Sequence, residues 1–143
     1  MKYTTIVIDD SSIQRLATTF LVKNHVALEH IGSYGNPYEG LRAVVDKKAD
    51  ILFLDVLMDD IDAFELLDSV NLNCAIIMNS TWPRFAVKAF DYGINDFITK
   101  PIQKPRFEKS VVKVINQLKG EQSSIRSNKD YLCIDSLSNF SLT

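Results

Sequence analysis

Residues 51–60 read ILFLDVLMDD, four apolar residues that run straight into a carboxylate, Asp55, and then into an acid-rich loop. Ile51, Leu52, Phe53 and Leu54 show no polar alternation, which is how a strand covered on both faces of a parallel sheet reads. In open α/β sheets the carboxyl ends of such strands form the edge where ligands and reacting groups collect. Asp55 and the acids after it are therefore placed at that edge.

The same unit recurs outward from this strand. Residues 4–8 make a short β-branched run that ends at Asp9 and Asp10; Ser11 with Gln14 then fits a loose capping box ahead of Ile13, Leu16, Ala17, Phe20 and Leu21 at helical spacing. Residues 27–34 read as a second strand, and the turn Gly35-Asn36-Pro37 opens a helix with Leu41, Val44 and Val45 on one face. A short helix carrying Phe64, Leu66 and Leu67 follows the acidic loop. Residues 74–78 make a fourth strand leading to Asn79, Ser80 and Thr81; Pro83 sits where a first helical turn tolerates proline, and a helix runs to about Tyr92 before Gly93 stops it. Residues 96–99 precede Lys100 and Pro101, and a last helix carries Phe107, Val111, Val114, Ile115 and Leu118. The pattern predicts an α/β domain over residues 1–119, a doubly wound five-stranded parallel sheet flanked by five helices. From Gly120 the stretch EQSSIRSNKD reads as a polar linker, and YLCIDS after it as one strand. A lone strand cannot bury itself, so residues 120–143 either dock onto the domain or open a truncated second one.

Composition narrows the function. A chain of 143 residues suits one domain with a modest extension, and 46% hydrophobic residues can build a core. With 16 basic against 18 acidic residues there is no large positive field for nucleic acid or an anionic membrane. Cys74 and Cys133 are far apart and make neither a disulfide framework nor a zinc site, so they read as incidental thiols. No run approaches the roughly 18 apolar residues of a membrane span, and the expectation is a soluble, cytoplasmic chain.

Parallel strands bring their carboxyl ends together, so Asp9, Asp10, Asp55, Ser80 and Lys100 are expected to converge. Carboxylates with carbonyls and waters make an oxygen-only site suited to Mg²⁺. A carboxylate can also be a nucleophile that forms an aspartyl phosphate, with a lysine and a hydroxyl stabilising the transferred group. Bland readings compete: Asp9 and Asp10 as a helix-capping turn, Ser80 as a cap for the next helix, and Phe97 as plain core.

With Asp9-Asp10, Asp55 after an apolar strand, Ser80 after strand four and Lys100-Pro101 in that order, the chain resembles a response-regulator receiver domain of two-component signalling, CheY-like in fold, over about residues 2–119. The resemblance implies that Asp55 accepts phosphate from a sensor histidine kinase. It implies that Asp10 and Asp55, with the Leu57 carbonyl and Asp9 through water, bind Mg²⁺. Ser80 and Lys100 would contact the phosphoryl group, and Phe97 would be an aromatic switch that turns inward. STWPRFAVKAFDYGINDFITKPIQKPRF and NKDYLCI are similar to receivers joined to LytTR-type DNA-binding domains, which implies a DNA-binding effector beyond this chain. The same resemblance implies a homodimer through the fourth helix, fifth strand and fifth helix, with Lys88, Asp91, Asp96, Lys109 and Lys113 as charged partners.

VLMDDIDAF departs from the family, where proline usually follows the methionine and glycine precedes the phenylalanine. Asp59 and Ala63 stand there, so a looser loop is expected, and Asp59, Asp60 and Asp62 are expected to raise the Asp55 pKa. Leu57 and Trp82 are apolar and cannot orient an attacking water, which predicts slow loss of phosphate. Two other classes were weighed. A haloacid-dehalogenase-type phosphohydrolase needs an acid where Ser12 stands; a receiver-like interaction module would not be phosphorylated at all.

Overall fold

Each apolar run becomes a strand, and each polar-apolar segment between them a helix, in a computed structural model that describes residues 1–130. The order is β1 (Tyr3–Ile8), α1 (Ser12–Lys23), β2 (Leu28–Tyr34), α2 (Pro37–Lys47), β3 (Ile51–Asp55), α3 (Ala63–Asp68), β4 (Ala75–Ser80), a 3₁₀ turn (Pro83–Phe85), α4 (Ala86–Asp91), β5 (Asp96–Thr99) and α5 (Lys104–Asp130). All strand pairings are parallel, in the order β2-β1-β3-β4-β5. The chain winds one way from β1 to β2 and the other from β3 to β5, so the order reverses between β1 and β3. A doubly wound sheet opens its crevice at that point.

β3 lies at the centre and contributes to both halves of the core. Leu52 and Leu54 join Ile6, Ile8, Phe64 and Met78 on one face; Ile51 and Phe53 join Val7, Ile77, Phe107 and Val111 on the other. All four β3 residues are fully buried, which is why the run shows no alternation. Phe53 stacks on Phe107 with ring centroids 5.5 Å apart, fixing α5 against the sheet.

Three elements differ from expectation. α1 forms, but Ile13, Leu16 and Phe20 face solvent while Thr18, Thr19 and Val22 are buried. Thr19 can be buried because its hydroxyl hydrogen-bonds Ser33. The single helix expected over 83–92 is a 3₁₀ turn followed by a short α4. Gly93 ends it as expected, at φ +76, a conformation that costs glycine little. Finally, α5 runs through the stretch read as a linker, to Asp130: Gly120 has no proline beside it, and the Glu, Gln, Lys and Arg that follow are good helix formers. The expected strand over 131–136 and Cys133 lie outside the described residues. Cys74 is free and partly covered, and burial pushes its thiol up to about 11.

α5 is also tied to β5 by charge. Asp96 is buried, and its two oxygens accept from Arg106 Nη1 and Nη2 at 3.0 and 3.2 Å, while Lys113 Nζ lies 3.2 Å away. Asp96 and Lys113, expected to reach across a dimer, are thus engaged within the chain, and Lys88 sits 4.5 Å above the Phe64 ring. Burial by itself would raise the Asp96 pKa, but the hydrogen bonds and charge of Arg106 outweigh it and hold the carboxyl below its usual range. A carboxylate held low stabilises the fold above its unfolded pKa and loses that contribution as pH falls through the folded value. Arg106→Ala is expected to cost about 1–3 kcal/mol at pH 7, as for a lost hydrogen bond to a charged group. Urea midpoints should show the full loss at neutral pH, and the gap should close only as pH falls below the usual carboxylate range and through the lowered pKa of Asp96 in the wild type.

Candidate functional site

Asp9 and Asp10 follow directly on β1, Asp55 ends β3, Ser80 ends β4, and Lys100 comes one residue after β5. The strand order places these ends side by side. Lys100 Nζ lies 2.8 Å from Asp9 Oδ2 and 3.0 Å from Asp55 Oδ1, with all three side chains buried. Asp9, Asp10 and Asp55 each bring a carboxylate oxygen within 4.8 Å of the others. Five of the residues named from sequence therefore stand at one edge, and four of them form a single charge cluster.

One ammonium among three carboxylates leaves the cluster short of positive charge. Burial is the main cause, and the Asp9 charge the next, that push the Asp55 carboxyl up to about 7 despite the opposing pull of Lys100. The expectation that Asp59, Asp60 and Asp62 would do this is corrected: those side chains sit in the exposed loop and do not set the shift. The donor set is all oxygen, closely spaced and under-neutralised, and it fits a small hard dication such as Mg²⁺.

The acids also do local work. Asp9 Oδ1 accepts from the Ser11 amide at 3.0 Å, and the Ser11 hydroxyl accepts from Gln14 as the cap of α1. The cap of α1 is thus Ser11, with Asp9 bracing the turn before it and Asp10 taking no part in the capping. Arg15 Nη1 donates to the Asp9 carbonyl at 2.7 Å and lies against Gly35, where a Cβ would come 2.8 Å from the same nitrogen. Gly35 leaves the guanidinium its space.

The loop after β3 is not loose. Asp59 N donates to Asp10 Oδ2 at 2.8 Å, and the Ala63 amide to the Val56 carbonyl at 2.8 Å. Asp62 caps α3 in a reciprocal capping box with Glu65. These contacts shape the loop by hydrogen bonding, where proline would act by restricting φ and glycine by widening it.

Ser80 is buried, and its hydroxyl accepts from the Trp82 amide at 3.0 Å, so it too ends a strand and turns the chain. The Lys100 amide donates to the Ser80 carbonyl at 2.8 Å, which keeps the ends of β4 and β5 in step. Phe97 already lies inside, 7% exposed, in the same core cluster as Met78 and Ala89. Its carbonyl accepts from Arg106 at 2.9 Å. Leu57 and Trp82, the apolar residues two positions beyond Asp55 and Ser80, are 44% and 48% exposed. Asn79 was passed over in the sequence. It is the register partner of Asp55, only 2% exposed, and its Oδ1 has no hydrogen-bond partner. A polar residue closing the apolar run of β4 was its one visible signal.

Residues 5–112 match the response regulator receiver domain. The chain is 28% identical over 116 residues to an uncharacterized response regulatory protein of Vibrio cholerae, a match covering 80% of this chain and 49% of that one. It is 29% identical over 138 residues to the transcriptional regulatory protein LytR of Staphylococcus aureus, covering 94% of this chain and 54% of that one. The chain thus spans about half the length of these curated relatives. The REC domain of the response regulator AraT from Geobacillus stearothermophilus superposes with a TM-score of 0.72 at 23% identity, covering 85% of this chain and 99% of that one. A response regulator receiver domain protein from Clostridium thermocellum gives 0.72 at 21%, covering 82% and 97%. Among the described residues no helix is long and apolar enough to cross a membrane. The order of strands, the acids at their ends and the match over residues 5–112 agree: this chain belongs to the receiver domains of two-component response regulators.

Proposed function

We propose that Asp55 is the phosphoacceptor for a sensor histidine kinase, in a Mg²⁺-dependent reaction that switches the face formed by α4, β5 and α5. The observation that carries this is Lys100 Nζ within 3.0 Å of both Asp9 and Asp55 beside a third acid. A buried lysine held on the nucleophile is placed to follow charge onto whatever the nucleophile accepts. Asp55 Oδ attacks phosphorus of the phosphohistidine; the new P–O bond forms as the P–N bond breaks, and the imidazole leaves with the electron pair. Asp9, Asp10, Asp55 and the Leu57 carbonyl would hold Mg²⁺, which would neutralise charge on the phosphoryl oxygens. Lys100 then pairs with the phosphoryl group, and the Ser80 hydroxyl donates to it. Because Ser80 and Lys100 join β4 to β5 through the backbone, their movement reaches Phe97 and the face of α4, β5 and α5. The chain catalyses no reaction on a separate substrate.

That face is proposed as a homodimer surface, with Val87, Phe90 and Val112 exposed and Asp91 and Lys109 free to pair across it. The similarity to LytR supports a cytoplasmic transcription regulator whose LytTR-type DNA-binding domain lies beyond this chain. The unphosphorylated interaction module is the second reading, favoured by the altered loop at 58–63 but opposed by the complete acid-lysine cluster.

Intact mass after incubation with Mg²⁺ and acetyl phosphate should rise by one phosphoryl group in the wild type and not in Asp55→Ala; no gain, with a matched kinase also failing, would leave the interaction module. In the same samples the phosphoryl group should decay slowly, and Leu57→Asn should shorten its lifetime on the order of tenfold, less than the roughly 10²–10⁴-fold that a fully positioned acid–base group contributes. The raised Asp55 pKa gives a separate expectation in EDTA. A carboxyl whose folded pKa is raised contributes stability below its unfolded pKa that is lost as pH rises through about 7. Asp55→Asn should therefore melt several degrees above wild type at pH 8, with the gap closing toward pH 5. Light scattering before and after phosphorylation should show the mass doubling, and an unchanged mass would exclude the dimer.

A further inference from the structure

We infer that the backbone amide of Asp59 is a positioning group for the metal ligand Asp10, a role that a proline at this position could not fill. The inference rests on the reading of Asp9, Asp10 and Asp55 as a Mg²⁺ site and extends it to a residue outside the site.

The three acids are not held alike. Lys100 is committed to Asp9 and Asp55, at 2.8 and 3.0 Å, and gives Asp10 nothing. Asp10 is also the most exposed of the three, so repulsion from two neighbouring carboxylates and the pull of water both favour turning it outward. Among the described residues, the hydrogen bond that opposes this is Asp59 N to Asp10 Oδ2 at 2.8 Å, short enough for a charge-assisted contact. It occupies Oδ2 and leaves Oδ1 free to coordinate.

The amide is itself fixed from both sides. Met58 is buried immediately before it, and the Ala63–Val56 hydrogen bond and the capping box of α3 close the loop after it. The core, not the metal, therefore sets where the donor points. A cavity of about 410 Å³ lined by Asp10, Arg15, Met58, Asp59 and Asp60 opens beside the carboxylate, and gives it room to swing away once the donor is lost. Proline has no N–H, so it alone among the amino acids would abolish the contact through the backbone. The Asp59 side chain is exposed and is not needed for it.

The experiment is calorimetric titration of the unphosphorylated protein with Mg²⁺, comparing wild type, Asp59→Ala and Asp59→Pro. Both variants lose the same charge, and only the second loses the donor. Asp59→Ala should bind within about twofold of wild type and Asp59→Pro about tenfold more weakly, the low end for losing a hydrogen bond to a ligating carboxylate. Equal affinities of the two variants overturn the inference. Absence of Mg²⁺ binding by the wild type would instead overturn the metal-site reading itself. Melting in EDTA checks that Asp59→Pro is folded. Amide spectra supply an arm that does not need that variant: the Asp59 proton should be shifted downfield in the wild type and move upfield in Asp10→Ala. An Asp59 resonance that does not respond to Asp10→Ala refutes the contact.

Discussion

A single ammonium group, Lys100 Nζ, holds two buried carboxylates at the end of a sheet, and the arrangement around it follows from the cost of doing so. Taking a carboxylate out of water costs several kcal/mol unless the charge is matched. Lys100 supplies one positive charge to two carboxylates, and burial together with the neighbouring Asp9 charge leaves the pKa of Asp55 raised. The domain tolerates this because the rest of each strand is apolar and fully covered. Ile51 to Leu54 contribute burial on both faces, at about 1.5–3 kcal/mol for each large side chain. A well-packed centre thus offsets an edge left short of positive charge.

The fold was readable because its signals are local and of different kinds. An unbroken apolar run marks a strand buried on two sides, glycine with positive φ marks the end of α4, and Ser11 and Asn36 mark helix starts by accepting from the amides that follow. The acids were readable because strand ends in a parallel sheet must share an edge. Other features were not. The exposed stripe of Ile13, Leu16 and Phe20 has the period of a core face, and only the hydroxyl pairing of Thr19 with Ser33 shows why the threonine side turned inward instead. The continuation of α5 was hidden because a polar, helix-forming stretch carries no periodic signal to separate it from a linker.

The charge of Asp96 shows the same limit in another form. From sequence it is one of several charges spaced for a dimer; in the fold it is buried between Arg106 and Lys113. No spacing rule distinguishes an aspartate that pairs across α5 from one that pairs across an interface, because both need only a cation within about 4 Å. Burial decides, and burial depends on how α5 seats against β5. Asn79 was missed for a related reason: its register with Asp55 belongs to the β3–β4 pairing and not to its own strand.

The loop after β3 shows how a departure from a family pattern can be absorbed. Proline and glycine shape a backbone by limiting or widening what it can adopt, whereas Asp59 and Asp62 shape it through hydrogen bonds, one donated by the Asp59 amide to Asp10 and one accepted by the Asp62 side chain from the Glu65 amide at the start of α3. The two solutions are not equivalent. A proline would restrict the backbone here but could donate no hydrogen bond, whereas the Asp59 amide ties the loop directly to the Asp10 carboxylate. In this chain the loop and the acid cluster are therefore joined, on one side through the Asp59 amide and on the other through the Lys100 contacts to Asp9 and Asp55.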